Sequence, residues 1–201
     1  MKQQVLMEME KYAIEHDVPI MQKEGIEFMT NFIKEHNIKS ILEIGSAIGY
    51  SAIQMALVDE NITITTIERD HKRYELAKHY VNLLGLNDRI TLMEADALKA
   101  EVSGEFDMLF IDAAKAQYIK FFERYEVYLK TGGYIISDNL SFHGYVEHPE
   151  LIQSRDLRQL IRKIKWFIDY LKTRNDYETT FLSQGDGIGI SKKLWFHDVF
   201  S

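Results

Sequence analysis

From Lys39 onward, short apolar runs alternate with amphipathic helical stretches, and this alternation constrains the fold more than any other feature of the chain. Ser40–Ile44 (SILEI) reads as a buried strand, and Tyr50–Val58 as a helix. Ile62–Ile67 (ITITTI) is β-branched throughout, the residue type that fits a pleated surface. Asp70–Leu84 reads as a helix closed by Gly85, and Ile90–Met93 and Phe106–Ile111 as strands. Gln117–Leu129 is expected to be helical, with Thr131-Gly132-Gly133 turning into a strand at Tyr134–Ser137. A long helix is expected over about 153–173, with core face Leu157, Leu160, Ile161, Ile164, Ile168 and Leu171. Two last strands, Tyr177–Leu182 and Gly187–Ser191, flank the turn Gln184-Gly185-Asp186-Gly187 as a hairpin. Residues 1–37 read as two helices interrupted near Pro19. Strands separated by helices imply an α/β fold with a mostly parallel sheet covered on both faces, ending in an antiparallel hairpin. With two prolines and no low-complexity stretch in 201 residues, one domain is expected: a helical segment 1–37, a core 38–193 and a tail 194–201.

Such sheets bind ligands beyond the carboxyl ends of their strands, so the strand ends are where chemistry is sought. The first strand ends in Glu43-Ile44-Gly45-Ser46-Ala47-Ile48-Gly49-Tyr50-Ser51. Its glycines permit a tight turn, and the helix that follows offers free N–H groups to an anion. The spacing is G-x-x-x-G, which disfavours a dinucleotide oxidoreductase. The second strand ends in Glu68, placed to bind ribose hydroxyls, against the plainer reading of a surface charge. After the third come Glu94-Ala95-Asp96-Ala97, where Asp96 could meet an adenine amino group or cap a short helical segment. The fourth gives Asp112-Ala113-Ala114-Lys115 and the fifth Ser137-Asp138-Asn139. Two carboxylates and an amide are hard oxygen donors that suit Mg²⁺ or Ca²⁺. Three protein ligands leave about three octahedral positions for water or substrate. Asp112 and Asp138 as two helix caps is the plainer alternative.

The sequence E-I-G-x-x-x-G-Y-S, I-E, A-D-A, F-I-D-A-A-K and S-D-N, in this order from about Pro19 to Lys193, resembles the catechol-O-methyltransferase-like class of S-adenosylmethionine-dependent O-methyltransferases. The resemblance implies a Rossmann-like class I methyltransferase fold with a seven-stranded sheet. It implies that S-adenosyl-L-methionine is held by Met21, Glu43, Gly45, Ser46, Ser51, Glu68, Asp96, Ala97 and Asp112. It implies Mg²⁺ on Asp112, Asp138 and Asn139, with Lys115 as the general base. Ala47 departs from the pattern, since many members have glycine there. Ala114 stands where animal catechol enzymes have tryptophan, which leaves room for a larger acceptor. A non-catalytic S-adenosylmethionine-binding module is the competing class, and the intact Asp112, Lys115, Asp138, Asn139 set argues against it.

Composition then bears on the acceptor. The chain has no cysteine, which excludes disulfides, thiolate zinc sites and a cysteine nucleophile. No membrane span or targeting segment is expected, so the expected location is the cytoplasm. The net charge is −7, but residues 151–175 carry +5, leaving −12 elsewhere. Arg155, Arg158, Arg162 and Lys165 form a stripe beside the expected core face, and Trp166 falls among them. Cations with an aromatic ring suit single-stranded RNA, although solvated basic faces are common and Trp166 could instead pack against the aromatic tail (Trp195, Phe196, Phe200) or in a homodimer. Among bacterial members the chain resembles the tRNA 5-hydroxyuridine methyltransferases, which implies an anticodon stem-loop partner and 5-methoxyuridine at the wobble position as product. A small catechol or caffeoyl-type phenol is the alternative acceptor. His143, four residues after Asn139, is a minor candidate at the substrate mouth.

Overall fold

Two helices lie on either side of Pro19, as the N-terminal pattern predicts. The computed structural model describes residues 2–195, with α1 at Lys2–Glu15 and α2 at Lys23–Glu35. Phe196 and Phe200 of the expected aromatic tail lie outside the described residues. The chain divides into two compact units between Val102 and Ser103. No helix among the described residues is long and apolar enough to cross a membrane.

In the first unit β1 (Ser40–Ile44), β2 (Thr63–Glu68) and β3 (Ile90–Glu94) are parallel, with β2 in the middle. Ile44 pairs with Ile67, and Glu68 with Glu94, so the three strands end within a residue or two of one level. The interior is aliphatic: Ile41, Leu42 and Ile44 are fully buried. Helices α3 (Tyr50–Ala56) and α4 (His71–Leu83) pack on β2 and β3. Asp70 caps α4 by accepting the Arg73 N–H at 3.0 Å, and Gly85 takes the left-handed conformation (φ 66°) just past its end.

In the second unit β4 (Phe106–Ile111) and β5 (Leu129–Ser137) are parallel. β5 continues antiparallel to β7 (Ile188–Lys193), which pairs in turn with β6 (Tyr177–Leu182), so the hairpin forms as expected. The expected helix over 117–129 is shorter. Ala114 is extended and Gln117 leaves helical geometry, so a 3-10 turn at Lys115–Gln117 precedes α5 (Tyr118–Tyr125), and another at Glu126–Tyr128 follows. The glycine pair is not a turn before a strand but part of β5. Phe106 pairs with Leu129 and Met108 with Tyr134, so β5 absorbs three extra residues as a bulge at Lys130–Gly133.

Helix α6 (Arg155–Thr173) starts on Ser154, whose hydroxyl accepts the Leu157 N–H. Its buried face differs from the expected one: Ile161, Ile164, Phe167 and Leu171 are buried, while Leu157, Leu160 and Ile168 are only half-buried. Phe167 claims the central place because its ring packs edge-on against Tyr118 and Phe122 of α5. Just past the helix Arg174 donates to Glu126, Asp176 and the Tyr170 hydroxyl, fixing the end of α6 to the turn after α5.

A Cβ on Gly133 would lie 2.8–2.9 Å from the Asp107 and Lys130 carbonyl oxygens and the Leu129 Cδ1. Gly85 has open space around its Cβ position. Gly133→Ala is therefore expected to destabilise the protein by about 3 kcal/mol through overpacking, and Gly85→Ala by about 1 kcal/mol through backbone strain alone. Urea denaturation of the two variants checks the difference.

Candidate active site

The end of β1 is organised by two carboxylates. Glu43 is fully buried and accepts the hydroxyls of Ser51 and Thr66, each at 2.5 Å. Burying a carboxylate is tolerable only when its lone pairs are met, and these two hydroxyls meet it. Glu68, at the end of β2, accepts three backbone N–H groups, from Ala47 (2.9 Å), Arg69 (2.9 Å) and Asp70 (2.8 Å). It thereby ties the glycine turn after β1 to the end of β2. A carboxylate has about four lone-pair sites, so one remains for a further donor.

The turn itself runs left-handed at Gly45 (φ 96°), Ala47 (φ 45°) and Gly49 (φ 84°). Ala47 thus occupies a conformation that favours glycine, which explains why glycine suits the position. Ser46 is 2% exposed, and its hydroxyl oxygen has no hydrogen-bond partner among the described residues. An orphaned buried hydroxyl at the mouth of a glycine turn fits a polar ligand there. Met21 is buried beside Gly25, where a Cβ would meet the Met21 Cγ at 3.0 Å. Asp96 is exposed and accepts the Leu98 N–H at 2.9 Å, so it caps the turn after β3, with Ala97 half-buried beside it. The first unit therefore brings Glu43, Ser51, Gly45, Ser46 and Glu68 together, and leaves Asp96 in a cap.

The second unit holds the oxygen donors. Ile111 pairs with Ser137, so Asp112 and Asp138 leave β4 and β5 at the same level. Asp138 is 4% exposed. Burial, reinforced by the negative charge of Asp112, raises its carboxyl pKa to about 7, against weaker opposition from the Asn139 N–H and Lys115. The Lys115 ammonium donates to Asp112 Oδ1 at 3.4 Å, and both side chains are mostly buried. Asn139 is left-handed (φ 62°), and its N–H donates to Asp138 Oδ1 at 2.8 Å. Among the described residues no cluster of three or more His, Cys, Asp or Glu side chains could hold a metal. The donor set here is two carboxylates and an amide. Two carboxylates that face each other with one of them buried are short of positive charge, and a divalent cation would supply it.

Two residues escaped sequence reasoning. Tyr118 is wholly buried, and its hydroxyl donates to the Asp138 carbonyl at 2.9 Å. Burial and the nearby charges of Asp112, Asp138 and Asp186 hold that phenol well above its usual range, so it stays a donor. Asp186, in the hairpin turn, accepts the His143 N–H. Only the Tyr that ends the A-K-A-Q-Y run and the Asp of the G-D-G turn mark them in sequence. His143 is exposed, yet its Nδ1 lies 3.7 Å from Asp186 Oδ2, so it is not without a neighbour.

On α6, Arg155, Arg158 and Arg162 are exposed and Lys165 is half-buried. Trp166 is 57% exposed, off the core face as expected.

A family model described as O-methyltransferase matches residues 1–194. A caffeoyl-CoA O-methyltransferase of Populus kitakamiensis is 29% identical over 198 residues, covering 92% of this chain and 82% of that protein. Among solved structures, a "putative caffeoyl-CoA O-methyltransferase" from Staphylococcus aureus is 36% identical with a TM-score of 0.90, covering 94% of this chain and 91% of that one. An O-methyltransferase from Bacillus cereus, solved in complex with SAH, shares the fold at 24% identity and a TM-score of 0.82, over 94% of this chain and 90% of that one.

The raised pKa of Asp138 gives a signed expectation. Its carboxyl titrates near 3.8 when unfolded and near 7 when folded. The stability it contributes is full below about pH 4 and is lost as pH rises through about 7. In EDTA, Asp138→Asn is expected to stabilise the protein at pH 8 by about 2 kcal/mol relative to the natural chain, and to give no gain at pH 4. Urea titrations at the two pH values check it.

Proposed function

Because the chain belongs to the O-methyltransferase family and has its Rossmann-like α/β fold, we propose that it moves a methyl group from S-adenosylmethionine to one hydroxyl of an acceptor with two adjacent oxygens. The observation that carries this reading is the buried Asp138 beside Asp112, with Lys115 at 3.4 Å from the latter. Gly45, Ser46, Ser51 and Glu68 would hold the donor, with Glu43 orienting Ser51 through its hydroxyl contact. Met21, Asp96, Ala97 and Asp112 are the remaining proposed donor contacts.

Asp112, Asp138 and Asn139 would hold Mg²⁺. When bound, the cation supplies positive charge beside the acceptor and lowers the pKa of its hydroxyl. Lys115 Nζ, mostly buried beside Asp112, takes the proton of that hydroxyl. Tyr118 fixes the backbone of Asp138, so the ligand is presented on a rigid strand end. Transfer needs no covalent intermediate with the protein, only alignment of oxygen, methyl carbon and sulfur.

The similarity to caffeoyl-CoA O-methyltransferases supports a catechol or caffeoyl-type acceptor. A second reading is 5-hydroxyuridine at the tRNA wobble position, whose O4 and 5-hydroxyl lie on neighbouring carbons. It is favoured by the exposed Arg155, Arg158 and Arg162 with Trp166, and by the half-buried Lys165, which would grip the anticodon stem-loop.

Assaying methyl transfer to caffeoyl-CoA, a simple catechol and hypomodified tRNA, each with and without EDTA, separates the readings. Transfer to one of these acceptors that EDTA abolishes is expected; full activity in EDTA refutes the metal role. Lys115→Ala is expected to lower kcat by about 10²–10⁴-fold while S-adenosylmethionine binding, followed by calorimetry, stays within about twofold. If tRNA is the acceptor, reversing Arg158 and Arg162 to Glu abolishes its turnover and spares the catechol. If the acceptor is a small phenol, the same change leaves turnover intact.

A further inference from the structure

The turn between β6 and β7 does more than join two strands. Leu140 N–H donates to the Gly187 carbonyl at 2.9 Å, and Ser141 N–H to the Asp186 carbonyl at 2.8 Å. The Asp186 side chain, 10% exposed, accepts the His143 N–H through Oδ1. Three bonds from two residues thus secure three of the four positions after Asn139. Leu140 is buried, and a Cβ on Gly189 would come within 2.7 Å of its Cδ1. A Cβ on Gly187 would come within 2.6 Å of the Ser141 nitrogen, so the turn backbone lies directly against the loop.

The loop requires such a hold. Asn139 (φ 62°), Phe142 (φ 48°) and His143 (φ 58°) are all left-handed without being glycine. Each of these is a strained backbone conformation that persists only where the surroundings over-determine it. The remaining Asp186 oxygen, Oδ2, is buried and has no hydrogen-bond partner among the described residues. It lies 3.7 Å from the His143 Nδ1, so both carboxylate oxygens face residue 143.

We infer that Asp186 is a positioning residue for the cation site: by clamping residues 140–143 it fixes the backbone conformation in which Asn139 presents its amide. The inference rests on the reading of Asp112, Asp138 and Asn139 as that site. Groups that orient a metal ligand without touching the metal commonly contribute 10–100-fold to its affinity, which sets the expected scale.

Manganese binding to the purified full chain, followed by electron paramagnetic resonance, tests this without relying on turnover. Asp186→Ala is expected to weaken Mn²⁺ binding about tenfold, whereas Asp186→Asn, which keeps an oxygen for the His143 N–H, stays within about threefold. S-adenosylmethionine affinity, read by calorimetry, should stay within about twofold in both. Gly187→Ala keeps the carboxylate but displaces Ser141, and is also expected to weaken Mn²⁺ binding about tenfold, so the test survives if Asp186→Ala does not fold. Unchanged Mn²⁺ affinity in Asp186→Ala overturns the inference alone. A parallel loss of Mn²⁺ and S-adenosylmethionine affinity overturns it in favour of a merely structural role. Absence of Mn²⁺ binding by the natural chain overturns the cation site and the inference together.

Discussion

Parallel pairing of β4 with β5, Ile111 opposite Ser137, is the constraint on which the chemistry rests. It brings two carboxylates out of the sheet at one level, and burial of the second makes their mutual repulsion expensive. The surrounding structure is arranged around that cost. Lys115 lies against Asp112, Asn139 donates its N–H to Asp138, and Tyr118 holds the Asp138 carbonyl from below. Asn139 and Lys115 reduce the expense without removing it, which is why the pKa of Asp138 stands so far above that of a free carboxyl.

The first unit solves a different problem with the same residue type. Glu43 and Glu68 are both nearly buried, but each is met by donors: hydroxyls for the first, backbone N–H groups for the second. Their role is to hold a turn that contains a non-glycine residue at positive φ. Among the described residues the Ser46 hydroxyl in this neighbourhood has no hydrogen-bond partner.

How much of this could be read from the sequence depends on the range of the interaction. The strands at Ser40–Ile44 and Tyr177–Leu182 fall where the apolar and β-branched runs put them, because burial on a pleated surface is a local pattern. The placement of Asp112 and Asp138 at one edge of the sheet was legible too, since each directly follows one of two paired strands. The bulge of β5 was not, because Gly132-Gly133 reads as a turn until a partner strand claims it. Phe167 of α6 was not counted on the core face, although it lies three residues from Ile164 on that face; the rings of α5 show what it packs against. Asp186 was seen as a turn residue and nothing more. Its contact with His143 spans 43 residues of sequence, beyond the reach of any local pattern.

The bulge has a bearing on how this strand can vary. Three residues of β5 are taken up between its first pair with β4 and its second. The two halves of the strand are therefore indexed separately: the lower by Leu129 opposite Phe106, the upper by Tyr134 opposite Met108. The alternation of the upper half is set by its own pairs with β4 and is not counted from the lower half. Asp138 therefore takes its face and its height from Tyr134 and the pairs above it, not from Leu129.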